Sequence, residues 1–273
     1  MRSPQTTVSV AAVAFLVLAS AVLLPAIAAG VPANQVPVSH QPDAAAELAS
    51  PDGTAWSAID GREIPLTSAP SGLPGANVVA TDAVTVKTAY TDSELYVWMQ
   101  WDDETANVSE SSLNAFSDGA AVQLPANVST SPTVQLGSQG TPVNLWYWTG
   151  ATGPEEALAG GFSPGSITTM ENTTIETAAS HGEGSWTVVF QRSLETPADA
   201  RADFDLETDV DVAFAVWDGA NEERSGHHAY SEWYTIPLGP EPTGPTAQYL
   251  LWAVAGIGIV VALVIAARAR RGR

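Results

Sequence analysis

Apolar residues recur along most of this chain with period two, the spacing of half-buried strands rather than of helices. Between residues 82 and 90, Val84, Val86 and Thr88 alternate with Thr85 and Lys87. A turn at 91–94 leads into 95–101, where Leu95, Val97, Met99 and Trp101 share one face. Together these runs predict a hairpin, with Met99 as a packing residue. Further short strands are predicted at 63–66, within 116–125, and at 142–148, 173–179, 186–192, 210–217 and 233–238. In the run 142–148, Trp146 and Trp148 fall on the opposite face from Val143 and Leu145. The Gly/Pro-rich stretch 149–166 reads as a loop. Nine or ten such strands and no helix give an all-β fold class, an antiparallel β-sandwich over residues 51–238. Sites in sandwiches sit in the end loops, and those around 131–142 and 218–232 are expected to meet.

The two ends break the pattern. Arg2 is the only charge before residue 43, and residues 8–29 are apolar. Ala26, Ile27 and Ala28 supply a small-x-small processing site, so 1–29 is read as a signal peptide. Residues 30–50, rich in Pro, Ala and polar side chains, read as a flexible lead-in with His40 solvated. The Pro/Gly-rich stretch 239–248 reads as a stiff spacer. Residues 249–267 carry no charge, and Arg268, Arg270, Arg271 and Arg273 follow at once. That pattern predicts one C-terminal transmembrane helix with a basic cytoplasmic tail over 268–273. The localisation expected is the cell membrane, single-pass, with the folded domain on the extracytoplasmic face.

Charge and cysteine content narrow the function. All 30 acidic residues lie between the apolar ends with five of the ten basic residues, a formal charge of −25 for that region. Lys87 is the only lysine. Such a surface excludes nucleic acid and anionic lipid as partners, and its composition suits a halophilic source. The chain has no cysteine, which excludes disulfides, thiolate nucleophiles, iron–sulfur ligation and covalently attached c-type haem. Sequons at Asn107, Asn127 and Asn172 permit glycosylation outside the cell. No dinucleotide, phosphate-loop, nucleophile-elbow or zinc-protease motif occurs, so a hydrolase is unsupported. The triplet 102–104 of carboxylates reads as a solvated face rather than a calcium loop.

The chemistry left concentrates in residues 214–233. A strand ending at Trp217 breaks at the turn cluster 218–221, and a charged tip leads to Gly226, His227 and His228. Adjacent strand residues point to opposite faces, so only one of the two histidines can enter a given pocket. The pair is either a solvated loop tip or a metal or haem ligand, neutral imidazole being a common metal ligand.

Five segments, AYTDSELYVWMQWDDET (89–105), FSDGAAVQLP (116–125), PVNLWYW (142–148), GEGSWTVVFQRSL (182–194) and AFAVWDGANEERSGHHAYSEW (213–233), are similar in order and content to one family. The chain resembles the haem-b-binding gamma subunits of ethylbenzene dehydrogenase and dimethyl sulfoxide reductase-type molybdoenzymes. The resemblance implies a β-sandwich with one non-covalent haem b held between loops by a methionine and a lysine. The position of the family lysine, two residues after the loop glycine, is His228 here, with His227 as the alternate. At the family methionine position stand Gln135 and Leu136, which leaves the second axial ligand among them, Met170, His181 and His227, or the iron five-coordinate. Trp146, Trp148, Trp217 and Trp233 are expected to pack at the haem. The implied function is a membrane-anchored b-type cytochrome subunit without substrate chemistry of its own. It would relay electrons between a quinone-side donor and the iron–sulfur subunit that serves a molybdopterin catalytic subunit. The alternatives are a carbohydrate-binding module in which Trp146, Trp148 and Trp217 stack on sugar, and a purely structural cell-surface domain.

Overall fold

The computed structural model describes residues 32–238 except 71–76, 127–134, 162, 164, 196–200 and 203. The expected signal peptide 1–29, spacer 239–248, span 249–267 and tail 268–273 lie outside the described residues, as does Asn127. Among the described residues no helix is long and apolar enough to cross a membrane.

Fourteen strands among the described residues form two sheets. The first sheet contains β1 (Val38–His40), β2 (Arg62–Pro65), β4 (Ala83–Tyr90), β5 (Glu94–Asp102), β10 (Ile175–Gly182) and β11 (Ser185–Ser193). Its order is β1-β4-β5-β11-β10, with β2 also on β4. The second contains β3 (Thr67–Ser68), β6 (Gly119–Pro125), β7 (Val143–Thr149), β8 (Gly153–Ala159), β9 (Ile167–Thr169), β12 (Val210–Trp217), β13 (Ala229–Tyr230) and β14 (Tyr234–Ile236). Its order is β3-β13-β12-β6-β7-β8-β9, with β14 on β12. All of these strand pairs are antiparallel except β1 with β4.

The predicted hairpin is β4 and β5, in register Thr85 to Gln100. Thr91 Oγ1 closes its turn by accepting from the backbone NH groups of Ser93 and Glu94. The faces follow the alternation. Val86, Val97, Met99, Val188 and Phe190 of the first sheet share a core with Val122, Leu124, Trp146, Val212 and Phe214 of the second. Trp148 and Trp186 meet edge-to-face across the two sheets at 5.0 Å.

Two expectations need correction. The lead-in 30–50 is not a free tether. Its β1 extends the first sheet, and a one-turn helix, α1 (Ala45–Leu48), buries Leu48 beside Trp56, Tyr96 and Trp98 on that sheet's outer side. His40, though exposed, stacks on Tyr90 and hydrogen-bonds Asp92 at 2.9 Å. The stretch 149–166 is not wholly loop either. It contains β8, whose Glu156 pairs in register with Trp146. Its Gly, Pro and acidic residues disguise the period-two pattern.

Candidate functional site

The large inward side chains of the second sheet alternate with small ones on its outer face. Ala121, Ala157, Ala213 and Ala215 make a shallow floor there, so the loops above it cover open space. The result is a cavity of about 510 Å³. That volume lies within the ~300–1,000 Å³ typical of cofactor and ligand sites. Leu136, Leu145, Ile167, Tyr147, Trp217 and Tyr230 give it apolar and aromatic walls. Gln135 and Leu136 of one loop and Ser225, Gly226 and His228 of the other reach its rim, the two loops expected to meet.

The first of these loops turns sharply. Leu136 and Gly137 are both left-handed, with φ of 54° and 61°. A Cβ on Gly137 would stand 2.3 Å from the Thr141 carbonyl oxygen, so this position requires glycine. The backbone NH of Leu136 donates to Gln123 Oε1 at 2.9 Å, which fixes the loop to β6.

The second loop follows β12. Asp218 caps a single 3-10 turn, Gly219–Asn221, by accepting from the NH groups of Ala220 and Asn221. Buried Glu223 accepts from the NH groups of Asp218 and Ala80, and Ser225 reverses the chain with φ of 50°. His228 then enters the cavity. Its Nδ1 lies 2.9 Å from the Ser225 carbonyl oxygen. A carbonyl can only accept, so Nδ1 carries the proton and Nε2 keeps its lone pair. The ring packs on Trp217, centroids 4.6 Å apart. Burial pushes its pKa down to about 4, so the imidazole is neutral at ordinary pH. His227 turns away, with its Nε2 2.7 Å from the Val78 carbonyl oxygen outside the cavity.

The remaining sequence candidates separate. Gln135 is on the wall, where its Nε2 donates to the Ser231 carbonyl oxygen at 3.1 Å, and Leu136 is beside it. Met170 follows β9 but does not line the cavity. His181 belongs to the other sheet, 2.8 Å from the Asp103 carbonyl oxygen and edge-on to Trp186. Among the four tryptophans expected at the pocket, only Trp217 lines it. Trp146 and Trp148 face the opposite way, buried between the sheets, because the cavity lies over the outer face that Leu145 and Tyr147 occupy. Trp233 is also absent from the lining. Sequence reasoning missed Tyr147 and Tyr230, although the alternation that places Trp146 and Trp148 inward sends Tyr147 outward. Burial, and then the charges of Glu110 and Glu155, push the Tyr147 phenol up to about 12. Of the sequon residues, Asn172 is exposed, whereas Asn107 is half-buried and its Oδ1 accepts from Thr105.

The sequence of this region matches one family model, described as ethylbenzene dehydrogenase, over residues 53–163 and 149–229. The chain belongs to the ethylbenzene dehydrogenase family. Both loops at the cavity rim fall inside the matched segments, and the resemblance read from five short segments is borne out. Within this family the chain is 43% identical to a protein described as a candidate haem subunit, ORF7, of a respiratory nitrate reductase in Haloferax mediterranei, over 95% of this chain and 93% of that protein. It is 29% identical to the chlorate reductase gamma subunit of Ideonella dechloratans, over 71% and 81% of the two chains. With the dimethylsulfide dehydrogenase gamma subunit of Rhodovulum sulfidophilum it shares 30% identity, over 71% and 77%.

Proposed function

We propose that this ethylbenzene dehydrogenase family member is the haem-binding, electron-transferring subunit of a molybdoenzyme complex, with His228 as an axial ligand. The observation that carries the reading is the state of that side chain. It is the only histidine among the described residues lining the cavity, and its Nδ1 is tied to the Ser225 carbonyl oxygen, which leaves Nε2 as the nitrogen available to a ligand. The donor set fits haem: one oriented imidazole within apolar and aromatic walls. The names of the relatives, one a haem subunit and two gamma subunits, support the same reading. The haem would supply the one-electron redox chemistry, and the chain would do no substrate chemistry. His228 would bind iron, Leu136, Leu145 and Ile167 would exclude water, and Trp217 would hold the imidazole plane. With no cysteine to bond a vinyl group, the haem would be b-type, one per cavity.

The finer assignments follow from the sequence. The span 249–267 would anchor the domain on the extracytoplasmic face, between a quinone-side donor and the iron–sulfur and molybdopterin subunits. The carbohydrate-binding reading loses two of its three stacking residues, because Trp146 and Trp148 are buried.

The test is spectroscopic. The full-length protein, titrated with haem, should give a Soret band that His228→Ala abolishes or strongly shifts and His227→Ala leaves intact. The reverse result would move the ligand by one residue. An unchanged band in both variants would remove this loop from the site.

A further inference from the structure

Three carboxylates, two of them buried and the third half-buried, meet at one end of the two sheets. Asp103 follows β5, Asp118 precedes β6 and Asp218 follows β12. One ligand oxygen of each lies within 4.8 Å of the others. The topology brings them together. Gly119 pairs with Trp217, so Asp118 and Asp218 sit on adjoining chain positions of one ladder. Asp103 comes from the facing sheet, tied by its NH to the Gly184 carbonyl. The acidic triplet 102–104, expected as a solvated face, is therefore divided: Asp102 and Glu104 are exposed, and Asp103 is 6% exposed.

Their hydrogen bonds leave one atom unsatisfied. Asp118 is fully buried and accepts from the NH groups of Gly219 and Asn107 and from Trp186 Nε1. Asp218 Oδ1 accepts from Ala220 and Asn221. Asp103 Oδ1 accepts from Thr105, whereas its Oδ2 is buried with no partner. Ion pairs among the described residues involve none of the three. Burial, opposed by those hydrogen bonds and reinforced by the charge of Asp103, pushes Asp118 up to about 6, and burial and Asp103 raise Asp218 as well. Two buried carboxylates, Asp103 and Asp118, beside the half-buried Asp218 and with no ion-pair partner among the described residues, are costly, because their mutual repulsion is poorly screened and the buried two are stripped of water.

We infer that Asp103, Asp118 and Asp218 form a site for one divalent cation of the calcium class, with Asp103 Oδ2 as the ligand that nothing else satisfies. The donor set is all oxygen and anionic, as hard cations require. A mutual separation of up to 4.8 Å is about twice a calcium–oxygen distance of ~2.3–2.6 Å, so the three oxygens can share one ion. The smaller magnesium ion demands a tighter octahedron and gives up its water reluctantly. The site is independent of the haem reading, yet it bears on the same loop. Asp218 begins the segment that ends at His228, and a shared ion would fasten that beginning to the facing sheet.

Terbium, a calcium mimic, tests this directly, since Trp186 lies in hydrogen-bond contact with Asp118 and would sensitise its emission. The full-length protein is stripped with a chelator and kept in high sodium chloride, which screens exposed carboxylates far more than a buried site. Tryptophan-excited terbium emission should saturate at one ion per chain, be displaced by calcium in preference to magnesium, and coincide with a calcium-dependent rise in Tm. Asp118→Asn should cut the emission by about tenfold or more. Should that variant not fold, Asp103→Asn should show the same loss. The proposal is overturned if the wild-type chain gives no saturable emission, or if both variants keep it. A Tm that ignores calcium and rises only on acidification would also overturn it, because protons alone would then hold the cluster together.

Discussion

At the residue scale, His228 shares the cavity with the side chains of the loop at 135–136. Gln135 and Leu136, which the resemblance implies stand at the family methionine position, are on the wall, and neither is a strong iron ligand. Leu136 already adopts the left-handed backbone its loop demands, so a side chain of similar volume can replace it there without new strain. Leu136→Met should therefore supply a thioether and convert a weak-field, high-spin ferric spectrum into a low-spin one with His–Met character. An unchanged spectrum would show that this loop does not face the metal. The pH dependence is a second check at the same residue. With His228 as the proposed ligand, proton and iron would compete for Nε2, and the folded pKa of about 4 lies below the ordinary 6.5. The neutral form is thus favoured in the fold, and its advantage is lost only as pH falls through 4. Haem affinity should stay flat from about pH 8 to about pH 5 and fall below that. A decline centred near 6.5, measured by Soret titration, would mean the imidazole is solvated. Of this site, the sequence makes the histidine pair and its opposed directions legible, because strand alternation is local. It hides the alanine floor, since Ala121, Ala157, Ala213 and Ala215 carry meaning only once β6, β8 and β12 are laid side by side.

At the element scale, period two identifies most of the long strands and misses several of the short ones. The β4–β5 hairpin, β7, β11 and β12 each offer several alternations. β1, β3, β9 and β13 have two or three residues, too few to show a period, and tertiary pairing alone defines them. β8 is the instructive failure. In a chain with 30 acidic residues, Glu156 reads as surface, yet it is 1% exposed. Burial pushes its carboxyl up. Hydrogen bonds from Thr174, Arg201 and Asn144 outweigh that and hold it below the usual range. Asn144 in turn accepts from Trp146 Nε1 and from Arg192, whose guanidinium lies 4.2 Å from the Phe204 ring centre. This network ties β7 and β8 to the segment entering β10. Glu156→Ala should cost about 1–3 kcal/mol by stranding buried donors, measured by denaturant unfolding at neutral pH. The contribution is present above the ordinary carboxylate pKa and lost as pH falls through the lower folded value. The wild-type and variant curves should therefore converge in acid. A constant difference down to acid pH would assign the loss to packing instead.

At the scale of the whole molecule the governing quantity is a charge of −25 carried between the apolar ends. Two ion pairs are found among the described residues, and one of them is the buried Glu156–Arg201 contact. Most carboxylates are thus left to repel one another through solvent. The cavity wall departs from this distribution, since Glu155 is the only acidic residue among the described residues lining it. If the cavity holds haem as proposed, a redox partner reaching it would meet less repulsion from the wall than from the acidic surface elsewhere. Self-repulsion opposes the compact state, and salt relieves it by shrinking the screening length from ~8 Å near 0.15 M to ~3 Å at 1 M. The Tm of the full-length chain should accordingly rise with sodium chloride, most steeply below about 1 M, where that length changes fastest. Sucrose, which strengthens burial without screening charge, should not reproduce the steep initial rise. If sucrose matches salt, or if salt leaves Tm flat with calcium held constant, surface repulsion is not what limits this fold.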